Sequence, residues 1–108
     1  MGRQFVGEPI EPDPDALDAA RMAAGEPGLP LRFHWRGRPV RVTRVLRSWR
    51  ETGPCRHGSG ERYVRKHWYE VRTDAGSTLT IYFERQSRSR ADRTRRWWLH
   101  AEQTGRDA

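Results

Sequence analysis

Alternating apolar and polar residues predict β-strands in the C-terminal two thirds of the chain. Phe33 and Trp35 alternate with charged or polar neighbours, which is the period of a strand with one buried face. A return strand is predicted over residues 39–49. The alternation of apolar and polar residues is interrupted between Val42 and Val45, which indicates a β-bulge near Thr43-Arg44.

The best-defined unit is a hairpin whose loop is Asp74-Ala75-Gly76. A three-residue loop with glycine in the left-handed conformation fixes the register of the two flanking strands. The predicted pairs are Val71–Leu79, Tyr69–Ile81 and His67–Phe83 on one face, and Trp68–Tyr82, Lys66–Glu84 and Glu70–Thr80 on the other. The first face is the more apolar and is the predicted core. The second face is wetter but carries a cross-strand Trp–Tyr pair.

A last strand is predicted over residues 96–102. Side chains alternate between the two faces of a strand, so if Leu99 is buried, the face of each neighbouring residue follows. The predicted inward residues are Trp97, Leu99 and Ala101, and the outward residues are Trp98 and His100.

The first 30 residues predict an extended lead-in followed by a short helix over residues 14–24. Asp13 is a suitable N-cap, Pro14 suits the first helical position, and Gly25 ends the helix. One weak apolar stripe makes this helix peripheral. The sequence leaves open whether the helix covers the sheet.

The chain length of 108 residues suits one ordinary domain. We divide it into an acidic lead-in with a short helix (1–30), a basic β domain (31–102) and a frayed tail (103–108). About five antiparallel strands with short connections must curl to cover their own core. The predicted fold class is therefore all-β: a small antiparallel curled sheet or SH3-like barrel, with a short peripheral N-terminal helix.

Charge is divided unevenly between these segments. Residues 1–30 carry two basic and six acidic residues, a net charge of −4, while the remainder carries 19 basic and 8 acidic residues, a net charge of +11. Of the 21 basic residues in the chain, 20 are arginine. A positive field of this size attracts nucleic acid or another anionic surface.

Several protein classes are disfavoured by composition. The single cysteine, Cys55, cannot form an intramolecular disulfide, which suits a reducing compartment. No apolar run approaches the roughly 18 residues that a membrane-spanning helix needs, and the N-terminus has no signal-like stretch. We expect a cytoplasmic protein without a membrane partner.

Candidate catalytic and metal-binding groups do not converge in the sequence. Cys55 and His57 share one loop, but no second ligand pair has metal-site spacing and no third group orients a nucleophile. Glu70, Asp74 and Glu84 lie on or beside the hairpin without forming a cluster of acids. We expect no enzyme activity, no metal and no cofactor.

Four stretches taken in order resemble a bacterial family of small stand-alone proteins of unknown function. They cover much of residues 31–102 and are Phe33-His34-Trp35-Arg36-Gly37-Arg38, Arg62-Tyr63-Val64-Arg65-Lys66-His67-Trp68-Tyr69, Ile81-Tyr82-Phe83-Glu84-Arg85-Gln86 and Arg96-Trp97-Trp98-Leu99. Residues 68–101 are also similar to the C-terminal segment of ImuB-type proteins, which are Y-family polymerase relatives in DNA-damage tolerance. Neither resemblance implies a particular catalytic or binding residue.

Two sets of residues are candidates for contacts with a polyanion. Arginine binds phosphate through a two-pronged group, and the predicted phosphate contacts lie in the connector before the last strand: Arg85, Arg88, Arg90, Arg93, Arg95 and Arg96. The predicted stacking rings are Trp68, Tyr82 and Trp98. The alternatives are a solvated loop for the arginines, and for the rings either coverage by the N-terminal segment or a protein interface.

The sequence therefore favours a non-catalytic accessory protein that binds nucleic acid through an Arg-rich loop and exposed aromatic rings. The alternative is a protein–protein interaction module, with a DNA-repair protein as the partner and a possible place in DNA-damage tolerance.

Overall fold

The computed structural model describes residues 3–54, 62–84 and 96–104. Its elements, in chain order, are β1 (Arg3–Pro9), β2 (Glu11–Pro12), a 3₁₀ turn (Pro14–Ala16), α1 (Ala19–Ala23), β3 (Arg32–Trp35), β4 (Arg38–Pro54), β5 (Arg62–Thr73), β6 (Thr78–Glu84) and β7 (Trp97–Gln103). None of the helices within these ranges is long and apolar enough to cross a membrane.

Within these ranges, seven strands form one curled antiparallel half-barrel in the order β1-β7-β6-β5-β4-β3-β2. The all-β prediction is confirmed, but about five strands was too low a count. The lead-in supplies the two additional strands, because residues 3–12 pair with β7 at one edge of the sheet and with β3 at the other. One short stretch of chain thus draws the two edges together.

The predicted hairpin register is confirmed. All six predicted pairs between β5 and β6 occur, including Tyr69 opposite Ile81 and Trp68 opposite Tyr82. Gly76 has a φ of +83°, as the three-residue loop requires. We call the side of the sheet that carries Tyr69 and Ile81 the inner face, and the side that carries Trp68 and Tyr82 the outer face.

The inner face holds one hydrophobic core. Its buried members are Ile10, Leu29, Phe33, Trp35, Tyr69, Val71, Leu79, Ile81, Trp97 and Leu99. Leu29 comes from the connector before β3 and is fully buried, so the N-terminal segment contributes to this core. Most of the core is aromatic or β-branched, which compensates for the low overall apolar content.

A β-bulge corrects the predicted orientation of Ala101. Leu99 lies opposite Ile81, whereas Ala101 lies opposite Thr80, so His100 is an extra residue in β7. An extra residue shifts the alternation of every side chain that follows it. Ala101 is buried, but on the outer face, and the prediction that it points into the core was wrong.

The predicted helix over residues 14–24 is two shorter elements on the inner side of the sheet. Asp13 caps the 3₁₀ turn as expected, and the Asp18 carboxylate accepts hydrogen bonds from the first turn of α1. Beyond α1, the hydroxyl of buried Tyr69 donates to Glu26 at 3.1 Å. The N-terminal segment therefore packs against the core side and does not cover the outer face.

A carboxylate clamp holds β1 against the β3–β4 turn. Glu8 accepts hydrogen bonds from the Trp35 indole at 2.9 Å and from two Arg36 nitrogens at 2.9 and 2.7 Å. The bulge that turns Glu8 toward them contains Gly7 at φ +67°, where a Cβ would lie 2.6 Å from the Phe5 ring. The clamp closes the half-barrel across its open side.

The clamp makes stability depend on pH. The Arg36 hydrogen bonds, followed by the Trp35 hydrogen bond, lower the pKa of Glu8 from 4.5 to about 2. A pKa depressed in the folded state stabilises above the unfolded-state value, and the stabilisation is lost as pH falls from about 4.5 toward 2. We expect Glu8→Gln to be less stable than the parent protein at pH 7 and nearly equal to it at pH 2.

Urea unfolding at a series of pH values measures this difference. Glu11→Gln is the matched control, because Glu11 is an exposed carboxylate on the same segment. If the free energy of unfolding of Glu8→Gln is lower than that of the parent protein by the same amount from pH 7 to pH 2, the clamp is not the source of the pH dependence.

Candidate nucleic-acid interface

Four aromatic side chains form a row across the outer face. The sheet register places Trp49, Trp68, Tyr82 and Trp98 directly opposite one another on β4, β5, β6 and β7. The Trp49 and Trp68 rings are parallel with centroids 5.8 Å apart, and the Trp68 and Tyr82 centroids are 4.6 Å apart. The row crosses four adjacent strands, from β7 to β4.

The exposure of this row differs from the prediction. Trp68, Tyr82 and Trp98 do share the outer face, but Tyr82 is only 5% exposed and Trp98 only 8%. Each ring inside the row has a cross-strand neighbour on both sides, and this lateral packing buries it. The prediction of exposed Tyr82 and Trp98 was wrong, while Trp68 is half-buried.

Trp49 is the exposed end of the row, at 37%. β3 pairs only with Arg38–Arg41 of β4, and in the described part of the chain no strand pairs with the same side of β4 beyond that stretch. We call the stretch over residues 43–54 the free edge of β4. Trp49 therefore has a strand beside it on one side only, which leaves part of its indole accessible.

Two β-bulges bring arginines to this end of the outer face. β4 carries an arginine at every third position from Arg38 to Arg50, a spacing that would alternate between faces in a regular strand. The register shifts at Thr43, where a bulge was predicted, and again at Leu46. Arg44 and Arg47 consequently lie on the outer face together with Trp49.

Two cations lie close to the rings: Arg47 is exposed and Lys66 is half-buried. The Arg47 guanidinium carbon is 4.6 Å from the Trp49 ring centroid, and 62% of the Arg47 side chain is exposed. Lys66 Nζ is 4.8 Å from the Tyr82 centroid and 5.8 Å from that of Trp68. Aromatic and cationic groups are thus combined on one surface, which we call the β4–β5 patch: Arg41, Arg44, Arg47, Trp49, Lys66, Trp68 and Arg72.

Three carboxylates moderate the positive charge of this patch. Glu51 accepts a hydrogen bond from the Trp68 indole at 3.3 Å, Glu70 pairs with Arg47 at 3.5 Å, and Glu84 lies opposite Lys66. The Arg47–Glu70 pair is long and its arginine is exposed, so the pair restrains Arg47 weakly. Arg41 and Arg44 are exposed, and the outer face keeps a net positive charge around Trp49.

His100 lies on the outer face beside the aromatic row. Its ring packs edge-on against Phe5 and Trp68, with centroid distances of 5.3 and 5.0 Å. Burial, followed by the charges of Arg3 and Lys66, lowers the pKa of His100. The imidazole is therefore neutral at pH 7 and serves as a packing group.

The predicted arginine connector mostly lies outside the described residues. Arg85, Arg88, Arg90, Arg93 and Arg95 belong to that part of the chain. Arg96 is half-buried beside the start of β7, where its carbonyl accepts from the Glu84 N–H at 2.8 Å. The structure therefore adds a second set of arginines, on β4, to the predicted set.

Sequence analysis missed Arg44, Arg47 and Trp49. The signal that could have found them is the arginine at every third position of β4. Arginines with this spacing lie on the same face only if a bulge separates each one from the next. Only the first of the two bulges was predicted. The second bulge places Leu46 between two paired residues, and Leu46 is 36% exposed there.

A polar cavity lies on the other side of the free edge. It has a volume of about 280 Å³ and is lined by Ala24, Gly25, Glu26, Ser48, Trp49, Arg50, His67 and Tyr69. Burial, followed by the hydrogen bond to Glu26, raises the pKa of Tyr69 above its usual range. The hydroxyl therefore stays protonated and donates to Glu26.

Within the described ranges, no three His, Cys, Asp or Glu side chains are grouped closely enough to hold a metal ion. Cys55 and His57 lie outside those ranges.

The model of one protein family, described as a domain of unknown function (DUF6504), matches residues 1–104. The chain belongs to this family. The DUF6504 match includes the acidic lead-in as well as the strands, in keeping with the pairing of β1 and β2 at the two edges of the sheet. Neither a curated protein nor a solved structure matches the chain.

Proposed function

We propose that this DUF6504 protein is a non-catalytic module that binds nucleic acid through the β4–β5 patch. The observation that carries the proposal is the position of Arg44, Arg47 and Trp49 on one exposed face beside a free sheet edge. Guanidinium groups bind phosphates without regard to sequence. An accessible indole supplies a stacking surface for a base.

Access favours this patch over the middle of the aromatic row. Tyr82 and Trp98 are too buried to stack on a base without rearrangement, whereas Trp49 and its cationic neighbours already face outward. Arg47 over the Trp49 ring presents a flat guanidinium that a base can contact on its other side. The Arg85–Arg96 connector follows Glu84 of β6, which lies opposite Lys66 of the patch, so its phosphate contacts remain part of the proposal.

Titration of labelled single-stranded and duplex oligonucleotides at 50 and 200 mM salt tests the proposal. We expect micromolar binding of single strands that weakens steeply with salt, because phosphate contacts release counterions. Absence of binding at the lower salt concentration would exclude the function. The protein-interaction alternative, with a DNA-repair protein as the partner, would then be the one to pursue.

Removing two charges from the patch should change both affinity and salt dependence. For single strands, the logarithm of the association constant falls with the logarithm of the salt concentration with a slope of about 0.7 per phosphate contact. Each contact therefore raises the association constant by about 0.7 log unit at 0.1 M salt relative to 1 M salt. Arg44→Gln combined with Arg47→Gln is therefore expected to lower the association constant about 25-fold at 0.1 M and to reduce the slope by about 1.4. Filter binding or fluorescence anisotropy measures both quantities.

Arg38→Gln is the control for this pair. Arg38 is an exposed arginine of the same strand, but the register places it on the inner face at the opposite end. Its substitution changes net charge without touching the patch. A loss for Arg38→Gln equal to that of Arg44→Gln alone would show that binding depends on overall charge and not on this surface.

A further inference from the structure

A polar cavity lies behind the free edge of β4, on the inner side of the sheet. One wall is the segment after α1, which ends at Glu26, and the other is the free edge with Ser48 and Arg50. Trp49 borders the same cavity and is also the exposed end of the outer aromatic row. A strand bound on the outer face therefore has an accessible route over the edge into the cavity.

Glu26 is the best-positioned polar group in the cavity. Tyr69 and Arg21 donate to its Oε1 atom at 3.1 and 3.3 Å, which fixes the carboxylate in place. The Glu26 side chain is 34% exposed, so the carboxylate can be reached from solvent. A fixed and partly exposed carboxylate accepts readily from an amino group.

The lining disfavours a phosphate and favours an uncharged polar group. Arg50 would attract an anion, but Glu26 on the opposite wall would repel it. Ser48 adds a hydroxyl that both donates and accepts. A volume of about 280 Å³ lies just below the range of drug-sized pockets, roughly 300–1,000 Å³, and so suits one planar ring system.

We propose that this cavity takes one unpaired nucleobase with an exocyclic amino group, from a single strand whose phosphates lie on the β4–β5 patch. The inference rests on the proposed function and deepens it. A base inside a duplex cannot enter, because its amino group is paired and its neighbours are stacked. Glu26 would accept from the amino group, as glutamate does with the N4 amino group of cytosine.

The sharpest comparison is between oligo(dC) and oligo(dT) hexamers, which have the same number of phosphates and similar rings. The N4 amino group of cytosine donates to Glu26, whereas the O4 atom of thymine would face it with an unfavourable acceptor. We expect the parent protein to bind dC₆ at least about 5-fold more tightly than dT₆ at 0.1 M salt, pH 7.5.

Glu26→Gln tests the assigned group, because the amide can either accept or donate. We expect it to bring the dC₆ to dT₆ ratio close to one while preserving overall affinity. Ser48→Phe places a ring in the cavity and should likewise remove the preference. Thermal unfolding of both variants shows whether they are folded, and the ratio itself is a readout that a purely structural role would not change.

The outcomes separate this inference from the proposed function. If single strands bind but dC₆ and dT₆ bind equally, or if Glu26→Gln keeps the preference, the cavity does not take a base and the patch proposal stands. If no oligonucleotide binds, both proposals are wrong. A preference for dC₆ that both variants abolish supports the base site.

Discussion

Trp49→Ala is expected to weaken the binding of single-stranded oligonucleotides about 5- to 150-fold, which corresponds to about 1–3 kcal/mol per stacked base. Trp49 is the member of the aromatic row whose ring is accessible, at 37%, and whose face lies against an exposed guanidinium. Removing the indole deletes the stacking surface and also the partner that orients Arg47. Fluorescence anisotropy with a labelled single strand measures the loss.

Two controls locate this effect. Trp49→Phe retains an aromatic face and should recover a large part of the affinity. Phe5→Ala removes a ring from the opposite edge of the same face; at 71%, Phe5 is the most exposed aromatic residue in the described part of the chain. An equal loss for Phe5→Ala and Trp49→Ala would contradict the placement of the site at the β4 end.

The second large effect concerns the core. Leu99 is fully buried on the inner face, so Leu99→Ala should lower the free energy of unfolding by about 2–5 kcal/mol through lost burial and the cavity left behind. The total stability of a domain is about 5–15 kcal/mol, so this single change removes a large fraction of it. Urea unfolding followed by tryptophan fluorescence measures the difference.

Leu46→Ala is the matched control for Leu99→Ala. The same side chain is truncated, but Leu46 is 36% exposed on the second bulge of β4. A change within about 0.5 kcal/mol is expected there, as for other surface substitutions. A larger loss at Leu46 than at Leu99 would show that the assignment of the two faces is inverted.

Much of the sheet could be predicted because local turn chemistry determined it. The loop around Gly76 fixes the register of β5 and β6, and every predicted pair between those strands was confirmed. Asp13 likewise acts as the cap that its position in the sequence indicated. Each of these features depends on a few adjacent residues, which is why a single sequence sufficed.

The strand count could not be predicted in the same way. β1 and β2 are recruited by long-range partners, β7 at one edge and β3 at the other, and their own residues have no clear alternation. The Glu8 clamp, which joins residues 27 and 28 positions apart, is also invisible to local patterns. Tertiary pairing decided these elements.

The sequence predicted that the candidate site lies on the outer face, but it did not predict the most accessible residues of that site. The sequence placed Trp68 and Tyr82 on one face correctly, yet the degree of burial depends on the neighbours across the sheet, which alternation does not give. Trp49 lies on the outer face because the second bulge of β4 reverses the change of face made by the first, and only the first bulge was predicted. Bulges occupy one residue each, so the sequence pattern marks them weakly.

The most direct test of the account uses the indole N–H signals of the five tryptophans in a two-dimensional ¹⁵N–¹H NMR spectrum. Adding a single-stranded oligonucleotide should shift the signals of Trp49 and Trp68. The signal of Trp35, whose indole donates to Glu8, and that of Trp97 in the core should stay in place. Assignment by single Trp→Phe variants makes the comparison quantitative. Movement of the Trp35 or Trp97 signals while those of Trp49 and Trp68 remain unchanged would contradict binding at the β4–β5 patch.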